Sequence, residues 1–264
     1  MLYRFLLTAL VPVLAIALEP QMERSQVLEP GSAVNAPSAA HETSTTAKPS
    51  LTPEERGDIF MARKMYREAI DQYREAPEGA VTLNKIGIAY HQTLDLRAAQ
   101  RYYERAIKRD PKYFEAVNNL GTVFYAEKRF SRAQRQYEKA IKLNPTSASV
   151  YSNIGTAHFA KKEYKEAFQA YQQAVKLDPE VFEHHDSYGV LLQDSSITER
   201  ARFHYYLAKT YAQAGMVDLA VQYIRKALEE GFKERNKFIE EPEFAVLKDN
   251  ADFKALMAQE PRAL

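Results

Sequence analysis

The chain has 264 residues, 45% of them apolar and 27% charged, the balance of an ordinary folded soluble protein. Its 36 Lys and Arg nearly cancel its 35 Asp and Glu, so no strongly basic surface is expected and nucleic acid is not an expected partner. There is no cysteine, which excludes disulfides, thiolate catalysis and zinc held by sulfur.

Met1 to Arg4 is a short positive start, and Phe5 to Leu18 is apolar apart from Thr8. Ala15-Ile16-Ala17 fits the small-x-small cleavage rule. Residues 1–17 therefore read as a signal peptide that exports the chain to the periplasm or beyond the cell. The other reading is an uncleaved anchor, although an apolar run of about 14 residues is short of the roughly 20 that span a bilayer. Either one allows membrane or envelope association through the N-terminus. Residues 18–50 carry Pro20, Pro30, Pro37 and Pro49 and no aromatic residue. Such a segment buries too little apolar area to offset its ordering entropy, and a disordered linker is expected.

A helical pattern begins at Leu51. Pro111, Pro145 and Pro179 stand 34 residues apart, as do Gly87, Gly121 and Gly155, and Tyr103, Tyr137 and Tyr171. A fixed period across several residue types predicts stacked copies of one helix-turn-helix unit. Within one unit, Val117, Leu120, Gly121 and Phe124 fall at i, i+3, i+4 and i+7, and Ala133, Tyr137, Ala140 and Ile141 at i, i+4, i+7 and i+8. These are the stripes of two amphipathic helices. Asp110-Pro111, Asn144-Pro145 and Asp178-Pro179 then stop the second helix.

Three regular units are expected at 80–113, 114–147 and 148–181. A unit at 51–79 keeps Gly57, Tyr73 and Ala76 but is about four residues short, so its second helix is expected to be clipped. An insertion at 182–200 precedes a last unit at 201–232, in which Gly231 replaces the proline. Ser196 and Glu199 have the spacing of a capping box that opens a long first helix for that unit. Residues 233–264 predict short helices whose Phe238, Phe244, Leu247, Phe253 and Leu256 cap the exposed end of the stack.

His184, His185 and Asp186 form the only dense ligand-capable cluster. Adjacent helical residues point about 100° apart, so a polar turn is the favoured reading. A ligand or metal site there, with or without catalysis, is the alternative. The chain carries no nucleophile elbow and no phosphate-binding glycine loop. No enzyme activity and no cofactor are expected.

The repeated unit resembles the tetratricopeptide repeat. The match runs through Leu83, Ile86, Gly87, Tyr90, Ala99, Tyr103, Ala106 and Pro111. It recurs at Val117, Leu120, Gly121, Phe124, Ala133, Tyr137, Ala140 and Pro145, and at Tyr151, Ile154, Gly155, His158, Ala167, Tyr171, Ala174 and Pro179. The resemblance implies an all-α, right-handed α-solenoid that binds a protein or peptide partner in a concave groove, as a scaffold or adaptor. An open end of the stack could also dock a second copy.

In the family, the first helix of each unit lines the groove. The inward residues implied are Asn84, Ile88 and His91, then Asn118, Thr122 and Tyr125, then Ser152, Thr156 and Phe159, with Arg202, Tyr205 and Lys209 from the last unit and Glu54, Asp58 and Met61 from the first. Asn119 and Asn153 lie beside the row. Some members clamp a terminal carboxylate with Lys, Arg and Asn, but the central units here have no Lys or Arg in the row. A groove that reads peptide backbone with Asn amides is expected instead. On that expectation, Asn84→Ala and Asn118→Ala weaken binding and leave the stack folded.

Overall fold

A computed structural model describes residues 50–183 and 196–259. The expected signal peptide, all but the last residue of the expected linker, and the cluster His184, His185 and Asp186 lie outside the described residues. Among the described residues there is no strand. Five helix pairs follow one another: α1 (Pro53–Ala62) and α2 (Tyr66–Glu75), α3 (Ala80–Gln92) and α4 (Leu96–Arg109), α5 (Phe114–Ala126) and α6 (Phe130–Leu143), α7 (Ala148–Ala160) and α8 (Tyr164–Leu177), α9 (Ile197–Gln213) and α10 (Val217–Glu229). Each pair packs on itself and on the next pair, as an α-solenoid requires. Short α11 (Lys237–Glu240), a 3-10 turn (Pro242–Leu247) and α12 (Ala251–Ala258) complete the chain.

Local chemistry repeats with the fold. The tight turn inside each pair places one residue in the left-handed region: Lys64, Leu94, Lys128 and Lys162 near φ +60°, then Gly215. Each loop between regular pairs is an Asx turn. Asp110 Oδ1 accepts from Lys112 N at 2.9 Å, Asn144 Oδ1 from Thr146 N at 3.1 Å and Asp178 Oδ1 from Glu180 N at 2.9 Å. The proline between acceptor and donor fixes φ and cannot extend the helix.

The first pair is short on both sides, since α1 and α2 each have ten residues. A complete capping box holds α1: Glu55 N donates to Thr52 Oγ1 at 3.2 Å, and Thr52 N donates to the Glu55 carboxylate at 2.8 Å. At α9, Glu199 N donates to Ser196 Oγ at 3.2 Å, while Arg202 donates to the Glu199 carboxylate. α9 runs for 17 residues against 13 in α3, α5 and α7.

Glycine meets tyrosine in four of the five pairs. A Cβ on Gly57, Gly87, Gly121 or Gly155 would stand 2.4–2.5 Å from the ring of Tyr73, Tyr103, Tyr137 or Tyr171. The missing side chain is what lets the two helices close over the ring. The hydroxyls of these tyrosines fare differently. Tyr73 donates to Asp58 Oδ1 at 2.8 Å. Tyr137, wholly buried, makes no hydrogen bond with any described residue. Burial pushes its phenol well above its ordinary range. Tyr137→Phe is therefore expected to hold or raise the urea midpoint, because a buried polar group without a partner is removed. Tyr73→Phe is expected to lower stability by about 1 kcal/mol. Equal losses in the two variants would show that the Tyr137 hydroxyl is satisfied in solution.

The fifth pair departs from the pattern at both partners, with Ala208 and Ile224 in place of Gly and Tyr. Its junction with the fourth is sealed by aromatic rings. Phe159 meets Tyr164, Phe203 and Tyr206 with ring centroids 5.3–6.1 Å apart, and Tyr164 stacks on Tyr206 at 5.4 Å. Phe238, Phe244, Leu247, Phe253 and Leu256 of the C-terminal segment are all buried, in one cluster with residues of α9 and α10. The 3-10 turn packs chiefly on α9, the first helix of the last pair, whereas α5 meets the preceding pair more through its second helix, α4, than through α3. The end cap thus leans onto the row of first helices.

Candidate functional site: the row of first helices

Successive first helices touch: α3 packs on α5, and α5 on α7. Four asparagines meet between them. Asn119 Nδ2 donates to Asn84 Oδ1 at 3.0 Å, Asn118 Nδ2 to Asn119 Oδ1 at 3.4 Å and Asn153 Nδ2 to Asn118 Oδ1 at 2.9 Å. Asn84 Nδ2 donates to the Tyr113 hydroxyl at 3.4 Å. None of the four is more than 3% exposed. Amides taken out of water need partners, and here they supply one another, tying three units into one ladder.

This arrangement corrects the expected state of the row. The amides of Asn84 and Asn118 are engaged across the repeats before any peptide arrives. The hydroxyls beside them turn back to their own helices: Thr122 Oγ1 donates to Asn119 O at 2.7 Å, Ser152 Oγ to Ser149 O at 2.9 Å and Thr156 Oγ1 to Ser152 O at 2.9 Å. Thr122, Ser152 and Thr156 are buried as well. Short side chains on closely approaching helices leave no depth between them for solvent.

Inward residues at the end of α7 and in the last unit are also covered. Phe159 and Tyr205 are buried, and Tyr205 stacks on Phe232 at 4.6 Å and donates to Glu241. Lys209 lies between Glu241 at 3.0 Å and Glu243 at 3.3 Å. The end cap therefore occupies this part of the row. In the first unit, Glu54 and Asp58 both accept from Lys85, at 2.7 and 2.8 Å.

Of the expected inward positions on α3 and α5, Ile88, His91 and Tyr125 stay half-buried. His91 Nδ1 is 3.4 Å from Thr122 Oγ1, and burial lowers its pKa, which favours the neutral imidazole. Tyr125 packs 5.2 Å from Phe130, and burial pushes its phenol up to about 12. On α3 and α5 the accessible row positions are thus apolar or aromatic, above an uncharged polar floor.

Four models of the tetratricopeptide repeat match the sequence, over residues 54–112, 121–162, 148–181 and 201–230. The chain belongs to the tetratricopeptide repeat family. No curated protein matches it in sequence. Among solved structures, this tetratricopeptide protein is similar to MamA 41-end from Desulfovibrio magneticus RS-1, at 21% identity over 67% of this chain and 92% of that one, with a TM-score of 0.46. It is also similar to YrrB, described as a TPR protein with an unusual peptide-binding site, at 21% identity over 48% of this chain and 68% of that one, with a TM-score of 0.43.

Two features of this tetratricopeptide array escape a reading by repeat position alone. The first is the ladder. Asn84 pairs with Asn119 and Asn118 with Asn153, each 35 residues on, which is one repeat plus one residue. That offset is the signal that could have revealed the pairing. The second is a polar clamp between the third and fourth units. His158 Nδ1 lies 2.8 Å from the Glu163 carboxylate and 2.9 Å from Gln134 Nε2, and Lys161 lies 2.6 Å from the same carboxylate. Hydrogen bonds from Lys161 and then His158 hold the Glu163 carboxyl down to about 2. Among the described residues no group of three His, Asp or Glu side chains could hold a metal ion.

Proposed function

We propose that the chain is a non-catalytic adaptor, exported from the cytoplasm, that binds a peptide or protein partner on its row of first helices. The observation that carries the reading is that Ile88, His91 and Tyr125 stay half-buried on two first helices that touch, α3 and α5. Their polar neighbours are satisfied internally, so a partner gains apolar contact there without stripping water from the asparagines. The buried ladder holds α3, α5 and α7 in fixed relation, which lowers the ordering cost of binding. Recognition then rests on side-chain contact more than on amide pairing with the peptide backbone.

Peptides selected by display on the wild-type chain are expected to bind an Ile88→Asp, Tyr125→Ala variant at least about tenfold more weakly, a loss of about 1.4 kcal/mol. Helical circular dichroism should be unchanged. Peptides that bind both proteins equally would place the partner elsewhere. For export, N-terminal sequencing of the chain recovered from the source cell's envelope should begin near residue 18. Recovery of an intact Met1 from the cytoplasm counts against that part of the reading.

A further inference from the structure

The turn between α5 and α6 borders a cavity of about 270 Å³, lined by Lys128, Arg129, Phe130, Ser131, Arg132 and Lys161. Four of these six side chains are cationic. Two of them are fixed on one ring: the Arg129 guanidinium lies 4.7 Å from the centre of Phe124, and that of Arg132 lies 6.0 Å away. Stacked guanidiniums lose less freedom when they take a ligand. Two of the four already hold carboxylates at the rim, Arg129 with Glu127 at 2.6 Å and Lys161 with Glu163 at 2.6 Å. Lys128 and Arg132 are exposed, and neither has an ion pair among the described residues. The turn between α7 and α8 adds Lys162, and Lys165 follows in the first turn of α8. In a chain of net charge +1, cations outnumber carboxylates at this turn even after Glu127 and Glu163 are counted.

We propose that this cavity binds the carboxylate side chains of an acidic segment of the partner, with Arg132 and Lys128 as the pairing cations. The inference rests on the adaptor reading and names the chemistry of the partner. Carboxylates are favoured because the cavity's own cations already take them, with Glu127 and Glu163 seated at its rim. The depression is shallow and lined by several separate cations, which suits the spaced carboxylates of a peptide. The guanidinium of Arg132 can take a carboxylate through two parallel N–H donors, which Lys128 reinforces as a point charge.

The test uses the full chain and a fluorescein-labelled decapeptide of alternating glutamate and alanine, titrated by anisotropy at about 20 mM salt, where charge is weakly screened. Saturable binding is expected. A Lys128→Glu, Arg132→Glu variant should weaken it at least about tenfold, while Lys112→Glu, in an Asx turn away from the cavity, should not. All three variants, Ile88→Asp included, need the wild-type melting curve. Ile88→Asp should leave this binding intact, because that residue belongs to the row. No binding of the glutamate peptide, or equal binding by the cavity variant, overturns the proposal. So does a cavity variant whose only loss is binding of inorganic phosphate or phosphatidylglycerol vesicles. If displayed peptides still bind the row in that case, the adaptor reading survives alone. If the glutamate peptide binds and no displayed peptide depends on the row, the row reading fails instead.

Discussion

Gly121→Ala is expected to destabilise the stack by about 2–3 kcal/mol, in the range of overpacked cores, and Tyr137→Ile in the same chain is expected to restore most of that loss. The new methyl would stand 2.4 Å from Tyr137 Cε1. The ring cannot swing away, because Tyr137 is 0% exposed and its surroundings are close-packed. Either the ring leaves its rotamer or α5 and α6 move apart. The fifth unit contains the compensated version, with Ala208 and Ile224 at the same spacing of 16 residues as Gly121 and Tyr137. Tyr137→Ile alone leaves a cavity and should also cost stability. The double variant should therefore be more stable than the sum of the two losses predicts, the signature of direct contact. Urea midpoints by circular dichroism are the readout, since repeat arrays need not unfold in two states. A Gly121→Ala protein within about 0.5 kcal/mol of wild type, or a double variant no better than its worse parent, would show that the contact is loose.

Asn119→Ala carries the second large effect, a loss of about 3 kcal/mol. It strips the partner from two buried groups at once, Asn84 Oδ1 and Asn118 Nδ2. Each is then left desolvated between helices. Asn119→Asp should be worse, since it replaces the donor to Asn84 with a buried negative charge. The same reasoning reverses the sequence-based expectation for Asn84→Ala and Asn118→Ala. Both now predict a weaker stack, so any lost binding in those variants has to be separated from lost structure. Melting curves with hydrogen exchange along α3, α5 and α7 will decide it. Undiminished protection in Asn119→Ala would mean the ladder contributes little.

The repeat unit was legible because its residues answer to local demands. Glycine at 57, 87, 121 and 155 is required by a ring 16 residues on, and that pairing can be counted along the chain. Asp110-Pro111 and its counterparts act within three residues, so the helix ends follow directly. The cap was legible in Phe238, Phe244 and Leu247 because an apolar run after the last unit has only the end of the stack to cover. The candidate site was read less well. Asn84 and Asn118 stand on the expected helices, but Asn119 and Asn153 were treated as bystanders and are their partners. Lys209 has the inward position of a binding residue, yet Glu241 and Glu243 hold it.

The sequence by itself determined the paired helices, their stacking order and the family, because periodicity and turn chemistry are local and repeat at a countable interval. Only the tertiary structure decided which polar side chains remain available to a partner. Availability depends on how closely α3, α5 and α7 approach, on the one-residue stagger between them and on where the end cap comes to rest. Those are distances between segments remote in the chain, set by the packing of all the units together.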